Sequence, residues 1–534
     1  MLQPADTYDA LYRDFVWQIP DRYNIGVDVC ARWAATHPGR VALLMRNEDG
    51  SVVDWTFAAL EDRSNRLANV LAAHSVSAGD RVAILLPQHV DVLTAHIAIY
   101  KLGAIAVPMA AMFGVDALAY RLGDSGASAL VTDGAGVDKI AAIRSDLPGL
   151  KSVLLSDHSG ANGIDALIER ASPDFTPVDT TPDTPALMIY TSGTTGPPKG
   201  ALHGHRVLLG HLPGVQMPHE FLPQPGDLMW TPADWAWAGG LLNVLLPSLS
   251  LGVPVLGYAF TKFDPEKAYA MMADHAVRNA FIPPTALKMV MASGAAPSSV
   301  NLRTIGSGGE ALGRKTYEWA KETLGIGINE FYGQTECNLV LSSSGALNAV
   351  KPGAIGKPVP GHMVAIIDGD GNPCEPEELG QIAVRAPDPV MFLRYWNNDV
   401  ATTAKFVGDW MITGDEGVMD ADGFVSFVGR DDDIITSAGY RIGPGEIEDC
   451  LISHPAVRLA AAVGKPDPIR TEIVKAFVVL QEGIASDDET KSAIQAHVRT
   501  RLSPHEMPRE IDFRDDLPLT TTGKIIRRLL REEV

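Results

Sequence analysis

Cysteine is scarce. The four in 534 residues, Cys30, Cys337, Cys374 and Cys450, lie far apart and form no CxxC pair. That spacing excludes a disulfide framework or a zinc knuckle and fits a reducing compartment, so the expected location is cytoplasmic. Apolar runs of membrane length are missing too. The longest candidate, residues 239–255, is broken by Asn243, Pro247, Ser248, Ser250 and Gly252, and reads as buried core. The first residues, Met1-Leu2-Gln3-Pro4-Ala5-Asp6, have neither a basic nor an apolar stretch, so no signal peptide is expected. Positive charge is also short, with Lys+Arg 44 against Asp+Glu 65 and a net charge of −21. Broad binding to nucleic acid or to an anionic membrane is therefore not expected, and any anionic ligand must be held by a local positive cluster. Repeats and low-complexity tracts are absent. The length exceeds that of one domain, so two or more are expected.

What the chain does have is a loop. Ala186-Leu187-Met188-Ile189-Tyr190 is a short apolar run of strand type. It runs into Thr191-Ser192-Gly193-Thr194-Thr195-Gly196-Pro197-Pro198-Lys199-Gly200, with three glycines, four hydroxyl residues and one lysine. Glycines let the backbone approach a ligand, and N–H groups, hydroxyls and an ammonium suit a polyphosphate. A Walker A loop would run G-x-x-x-x-G-K-[ST] into a helix. Here Pro197 and Pro198 separate Gly196 from Lys199, and neither can donate an N–H. A surface turn would explain most single matches of this length. The combination after a buried-type strand favours phosphate binding without naming the nucleotide chemistry.

Around the loop the chain alternates strand and helix signals. Residues 52–55 and 81–86 read as strands, Thr56 as a helix cap ahead of Leu60, Leu67, Val70 and Leu71, and 91–102 as a helix closed by Gly103 before a strand at 104–108. The rhythm returns at 129–132 and 152–155, which implies an α/β layered sheet. Residues 157–185 read as irregular. His203 and His205, two apart in a Gly-rich turn, read as structural and not as a metal site. Trp230, Trp235 and Trp237, beside Asp234 and Gly239-Gly240, fit equally a core or the wall of an apolar ligand pocket. Two strand-like runs end in small or polar groups, at Gly306-Ser307-Gly308-Gly309-Glu310 and at Tyr332-Gly333-Gln334-Thr335-Glu336. Ligands sit at that end of open α/β sheets, and Glu336 near a polyphosphate is a natural magnesium ligand. Asp415, in Thr413-Gly414-Asp415, suits ribose hydroxyls. From 351 onward short strands at 364–368, 381–384 and 423–428 suggest a smaller β-rich subdomain. Gly429-Arg430-Asp431-Asp432-Asp433 is the best boundary. The remainder (strand 434–436, helix 445–453, strand 474–480, helix 486–502) reads as a compact α/β module. It ends with Lys524 in a Thr/Gly loop before a basic helix, a lone lysine that would otherwise pass as solvated.

The loop 190–200, Tyr332-Gly333-Gln334-Thr335-Glu336, Thr413-Gly414-Asp415, residues 429–433, Gly439-Tyr440-Arg441-Ile442 and Thr522-Gly523-Lys524 occur in series along nearly the whole chain. Together they resemble the adenylate-forming (ANL) superfamily. Residues 437–446, Pro466-Asp467-Pro468 and Val474-Lys475-Ala476-Phe477 resemble its acetyl-CoA and medium-chain acyl-CoA synthetase branch.

The resemblance implies a mixed α/β fold with a β-barrel subdomain: a large N-terminal domain at 1–430 and a small mobile C-terminal domain at 431–534, hinged near Asp432. It implies an ATP-dependent acyl-CoA synthetase that uses Mg²⁺ and coenzyme A and works on a carboxylic acid, a medium-chain or branched fatty acid by expectation. A benzoate-type aryl-CoA ligase, a carrier-protein-loading enzyme and a nucleotide-binding module without catalysis remain alternatives. Among the residues it implies, Thr191, Ser192, Gly193, Thr194, Thr195, Gly196 and Lys199 hold the phosphates. Gly309, Glu310, Ala311, Glu330, Phe331, Tyr332, Gly333, Gln334 and Thr335 line the adenine and adenylate. Glu336 takes the metal, Asp415 the ribose, and Arg430 the ribose and phosphate. Lys524 serves adenylation, and Gly439, Tyr440, Arg441 and Arg470 meet coenzyme A. Thr191, Glu336, Arg430 and Lys524 form the catalytic set, and Trp235, Gly239, Ser307, Gly308 and Gly333 the acid pocket. Two positions depart from the pattern, Cys337 after the glutamate and Ala438 before Gly439. Both bear on pocket shape alone. Oligomeric state is not legible in the sequence, and a homo-oligomer is compatible with it.

Overall fold

The computed structural model describes residues 1–156, 160, 163–191, 197–294, 300–430, 433–437, 440–467, 470–502, 506–520 and 524–534. Among them the strands form four sheets, of nine, seven, five and five strands. The seven-stranded sheet runs in the order 394–395, 199–204, 185–191, 105–109, 81–85, 129–132, 152–155. Its strands are parallel from Pro185–Thr191 to Ser152–Leu155, and Lys199–Gly204 and Arg394–Tyr395 add an antiparallel edge. The nine-stranded sheet has a parallel centre built from Val41–Arg46, Val255–Gly257, Met229–Trp230, Asn279–Phe281, Thr304–Gly308 and Ile328–Gln334. The hairpin partner of Ile328–Gln334 is Cys337–Ser342.

Local sequence accounts for these elements. Thr56 caps the helix Phe57–Ala73, its hydroxyl accepting from the Ala59 N–H at 3.2 Å, and Leu60, Leu67, Val70 and Leu71 are buried. The helix Val90–Lys101 is buried along its whole length, as an all-round apolar helix must be. It belongs to the core that also takes Leu43 and Val255 from one large sheet and Val82 and Ile189 from the other. Even Lys101 is fully buried there, its ammonium donating to Glu61 (2.7 Å), Asn65 (2.7 Å) and Ser64 (3.1 Å). His203 and His205 are buried core residues, and burial pulls both rings down to about 3, so they are neutral. In the stretch read as irregular, residues 164–168 form a short helix, Ile164–Ile168. Its two buried isoleucines supply the apolar side that the surrounding Ser, Asp and Pro hid.

The expected β-rich subdomain is the five-stranded antiparallel sheet of Val364–Ile367, Gly380–Arg385, Trp410–Met419, Phe406–Val407 and Val425–Arg430. The last sheet contains Ile435–Ser437, Tyr440–Ile442, Val457–Asp467, Thr471–Leu480 and Glu510–Phe513, flanked by the helices Pro444–Ile452 and Asp488–Arg501. No helix among the described residues is long and apolar enough to cross a membrane.

Candidate active site

The carboxyl ends of the central strands gather most of the predicted residues. Thr191 ends its strand opposite Lys199, with its hydroxyl 3.4 Å from the Lys199 carbonyl oxygen. Ser192, Gly193, Thr194, Thr195 and Gly196 lie outside the described residues, as do Asp432 and Gly439. Lys199 reaches over the ring of Tyr395, its Nζ 5.3 Å from the centroid. The Tyr395 hydroxyl donates to Glu336 Oε1, and Glu336 is 6% exposed.

A second cluster surrounds Asp415. Trp410–Met419 pairs with Val425–Arg430 so that Asp415 lies opposite Arg430. The Tyr332 hydroxyl (2.5 Å) and Gln334 Nε2 (2.7 Å) both donate to Asp415 Oδ2, and Arg430 Nε stands 3.7 Å from Oδ1. Lys405 then ties Gln334 to the Thr413 carbonyl oxygen, at 3.4 and 3.2 Å. Burial and the neighbouring Asp415 charge push the Tyr332 phenol well up, so it stays a donor.

Lys524 lies within electrostatic reach of this second cluster. Part of its surface meets solvent, yet the protein crowded around the cleft lowers its pKa. Glu310 and Asp415 act in the opposite sense and Arg430 adds to the lowering, which puts the four groups within electrostatic reach of one another. Glu310 accepts from the Thr285 hydroxyl at 2.8 and 3.0 Å, while Gly309 (φ +96°) and Ala311 flank it at the surface. The loop bearing Lys524 is held by its own N–H donating to Thr520 Oγ1 at 2.9 Å. The helix that follows, Arg527–Arg531, is pinned in turn. Arg527 meets Glu448 (2.6 Å) and Asp433 (3.4 Å), and Arg531 meets Asp433 (3.0 Å).

Glu330, one residue before Phe331, is a third carboxylate. Burial pushes its carboxyl up to about 7, with the charge of Asp449 adding, against the Leu312 N–H (3.2 Å) and Lys288. Phe331 differs from its neighbours in the motif. Strand alternation turns its ring into the core, 4% exposed, against Phe281 at 5.3 Å between centroids. Of the predicted acid-pocket residues, Gly239 lies against the Phe281 ring and Gly308 against Phe331, which packs on Phe281. A Cβ at Gly239 would stand 3.0 Å from the Phe281 ring, and one at Gly308 would meet the Phe331 carbonyl oxygen at 2.4 Å. Ser307 donates to the Ile282 carbonyl oxygen at 2.7 Å, and Gly333 lies against the backbone of Asn338 and Leu339. Trp235 is 1% exposed and packs on Gly257, and Asp234 beside it is raised by burial to about 6.

The strand Tyr440–Ile442 pairs with Ile435–Ser437, and the Arg470 N–H donates to Asp467 Oδ1 at 2.8 Å. Sequence reading missed Tyr395, Lys405, Thr285 and Phe281. Tyr395 sits on a two-residue strand and meets a residue 59 positions away, so no periodic signal could have found it. Phe281, on a three-residue strand, is no easier.

A buried carboxylate held by one phenol, a second carboxylate fixed by several donors, and a lysine within electrostatic reach of the second are what adenylate chemistry uses. A family model described as AMP-binding enzyme matches residues 30–396, and one described as AMP-binding enzyme C-terminal domain matches residues 446–524. The mitochondrial acyl-coenzyme A synthetase ACSM2 of Rattus norvegicus is 35% identical over 96% of this chain and 92% of its own. The acetyl-coenzyme A synthetase of Bacillus subtilis is 32% identical over 98% and 94%. Among solved structures, an acyl-CoA synthetase of Brucella canis superposes with a TM-score of 0.77 at 34% identity, covering 99% of both chains. An anthranilate CoA ligase in complex with anthranoyl-AMP gives 0.88 at 27%, covering 96% of this chain and 98% of that one. With both halves of its length matched in this way, the chain belongs to the AMP-binding enzyme family and is an AMP-forming acid–CoA ligase of the acyl-CoA synthetase branch.

Proposed function

We propose that this ligase activates a medium-chain or branched fatty acid, with Lys524, Glu336, Arg430 and Thr191 as the groups that serve adenylate formation. The observation that supports the assignment is the pairing of Asp415 with Arg430 across adjacent strands, Nε 3.7 Å from Oδ1, with Lys524 within electrostatic reach of both. A carboxylate is a poor acyl donor because its oxygen leaves badly. Attack by that oxygen on the α-phosphate of ATP releases pyrophosphate and converts the oxygen into part of AMP. Nucleophile and phosphoryl group are both anionic, so positioning and charge compensation carry the catalysis. Lys524 and Arg430 supply positive charge from this chain, Thr191, Lys199 and the loop between them cradle the phosphates, and Asp415 orients the ribose. In the second half-reaction the coenzyme A thiolate attacks the acyl carbonyl and AMP leaves.

Magnesium fits the residues present. Glu336 is a single buried carboxylate, and no group of three or more His, Cys, Asp or Glu forms a protein cage among the described residues. A hard cation held by one carboxylate and by phosphate oxygens matches that donor set. Bound there, it neutralises phosphate charge. Coenzyme A would be met by Gly439, Tyr440, Arg441 and Arg470. We assign residues 1–430 and 431–534 to two domains hinged near Asp432. In support, one sheet ends at Arg430 and the next begins at Ile435, and the two family matches are separated by residues 397–445. Rotation there would withdraw Lys524 once its step is over.

An aryl acid is the second reading, favoured by the paired rings of Phe281 and Phe331, which lie against Gly239 and Gly308. Pyrophosphate release with a panel of carboxylic acids separates the two: straight and branched chains of intermediate length are expected to win over benzoates. The lysine assignment has its own check. Lys524→Ala is expected to lower acid-dependent ATP–pyrophosphate exchange by about 1,000-fold, the scale of the strongest electrostatic contacts to a reacting group. Thioester formation from supplied acyl-AMP should stay within a few-fold of wild type, and equal loss of both steps would remove Lys524 from its role.

A further inference from the structure

We propose that Tyr395 is a positioning residue that sets Glu336 and Lys199 at a fixed separation, leaving one carboxylate oxygen of Glu336 for a divalent cation. The proposal rests on the reading of Glu336 as the metal carboxylate. Its basis is a single segment that clasps both sides of the phosphate site. The Phe392 N–H donates to the Glu336 carbonyl oxygen at 2.8 Å, and the Leu393 N–H to that of Leu202 at 2.6 Å. The Trp396 N–H donates to the Gly200 carbonyl oxygen at 2.7 Å. Tyr395 itself lies opposite Ala201 in an antiparallel pair, and its own N–H donates to Thr402 Oγ1 at 3.0 Å. Phe392 packs edge-on to its ring at 4.9 Å, and the residue is 3% exposed. Its hydroxyl and its ring face are thus each directed at one phosphate-facing group, Glu336 and Lys199.

The physical logic is that of outer partners around a metal site. A glutamate carboxylate turns freely about its last torsion unless a donor fixes it. The phenol is the donor of this pair, since a carboxylate has no proton to give. It takes Oε1, which leaves Oε2 as the oxygen that can face a cation. The ring face attracts the Lys199 ammonium without using a hydrogen bond, so the three N–H donors of the lysine stay available to phosphate. An ordinary core aromatic would need the ring alone.

Two variants separate the two contacts. Tyr395→Phe removes the hydroxyl and keeps the ring, and Tyr395→Leu removes both. Binding of Mn²⁺ to the enzyme in the presence of a non-hydrolysable ATP analogue, followed by electron paramagnetic resonance, reads the site without turnover. Tyr395→Phe is expected to weaken Mn²⁺ about 10- to 100-fold, the usual cost of losing an outer partner, while metal-free analogue binding stays within twofold of wild type. Tyr395→Leu is expected to weaken metal-free analogue binding as well, about fivefold, a cation–π contact of order 1 kcal/mol. Glu336→Gln is the control. If it weakens Mn²⁺ and Tyr395→Phe does not, Tyr395 has no positioning role. If Glu336→Gln leaves Mn²⁺ unchanged, the reading of Glu336 falls and the proposal with it. A Tyr395→Leu variant that binds the metal-free analogue as wild type does would remove Lys199 from the proposal.

Discussion

Glu336 and Asp415 are two carboxylates of the same cleft, each 6% exposed, and they are kept in opposite ways. Asp415 has two donors on one oxygen, Tyr332 and Gln334, and the Arg430 guanidinium facing the other. Its neighbours are braced in turn by Lys405 and Thr413. Glu336 is met, among the described residues, by one hydroxyl, that of Tyr395. The difference teaches a division of labour that burial alone would not reveal. A carboxylate surrounded by donors is a fixed acceptor for a neutral ligand hydroxyl, while one with a free oxygen can turn that oxygen to a cation. Both come from one stretch of sequence: Tyr332 and Gln334, which hold the aspartate, stand just ahead of Glu336.

The comparison can be broken by substitution. Glu336→Gln should have the largest effect, lowering adenylate formation about 100-fold or more and raising the Mg²⁺ concentration needed for half-maximal rate. Asp415→Asn should follow, raising KM for ATP roughly 10- to 100-fold through the loss of charge-assisted hydrogen bonds, with the Mg²⁺ requirement unchanged. If Asp415→Asn moved the Mg²⁺ requirement instead, the division of labour would be wrong. A milder version is Tyr332→Phe, expected to raise KM for ATP about fivefold in initial-rate assays.

A third carboxylate sharpens the contrast. Glu330 is pushed by burial up to about 7, so the folded chain holds a proton that the unfolded chain releases near 4.5. Its contribution to stability is complete below the unfolded value and is lost as pH rises through about 7. Between pH 5 and pH 8 the thermal midpoint of wild type should therefore fall relative to that of the Glu330→Gln variant. For a chain of this size the shift is small, about 1–3 °C, and calorimetry at the two pH values measures it.

The fold was largely readable in advance where periodicity is long. The helix Phe57–Ala73 and its Thr56 cap, the strand Arg81–Leu85 and the buried helix Val90–Lys101 follow from apolar spacing and capping residues. The expected strand at 474–480 is present within the longer Thr471–Leu480. Short elements were not readable, because two or three residues carry no period. Met229–Trp230, Asn279–Phe281 and Arg394–Tyr395 are all of this kind, and each exists because a sheet neighbour offers its hydrogen bonds. The same limit applies to the site. Glu336 and Lys199 stand out by chemistry at a strand end and Asp415 by its place in a Thr-Gly-Asp motif, although it lies within the strand Trp410–Met419 and not after one, whereas Tyr395 and Phe281 matter through partners distant in the chain. Motif membership also misplaces a residue such as Phe331, since alternation along its strand sends that ring to the core between two less buried neighbours.

The ion pairs of Asp433 have a mechanical consequence. Asp433 is the first described residue after the proposed hinge, and through Arg527 and Arg531 it grips the helix that directly follows Lys524. Glu448 holds Arg527 from the other side and accepts the Ala462 N–H at 2.9 Å, which joins the grip to the sheet. A turn at the proposed hinge would be carried to the lysine through these ion pairs as through a crank. Loosening that crank would leave the hinge free to rotate while the lysine arrived late or out of line.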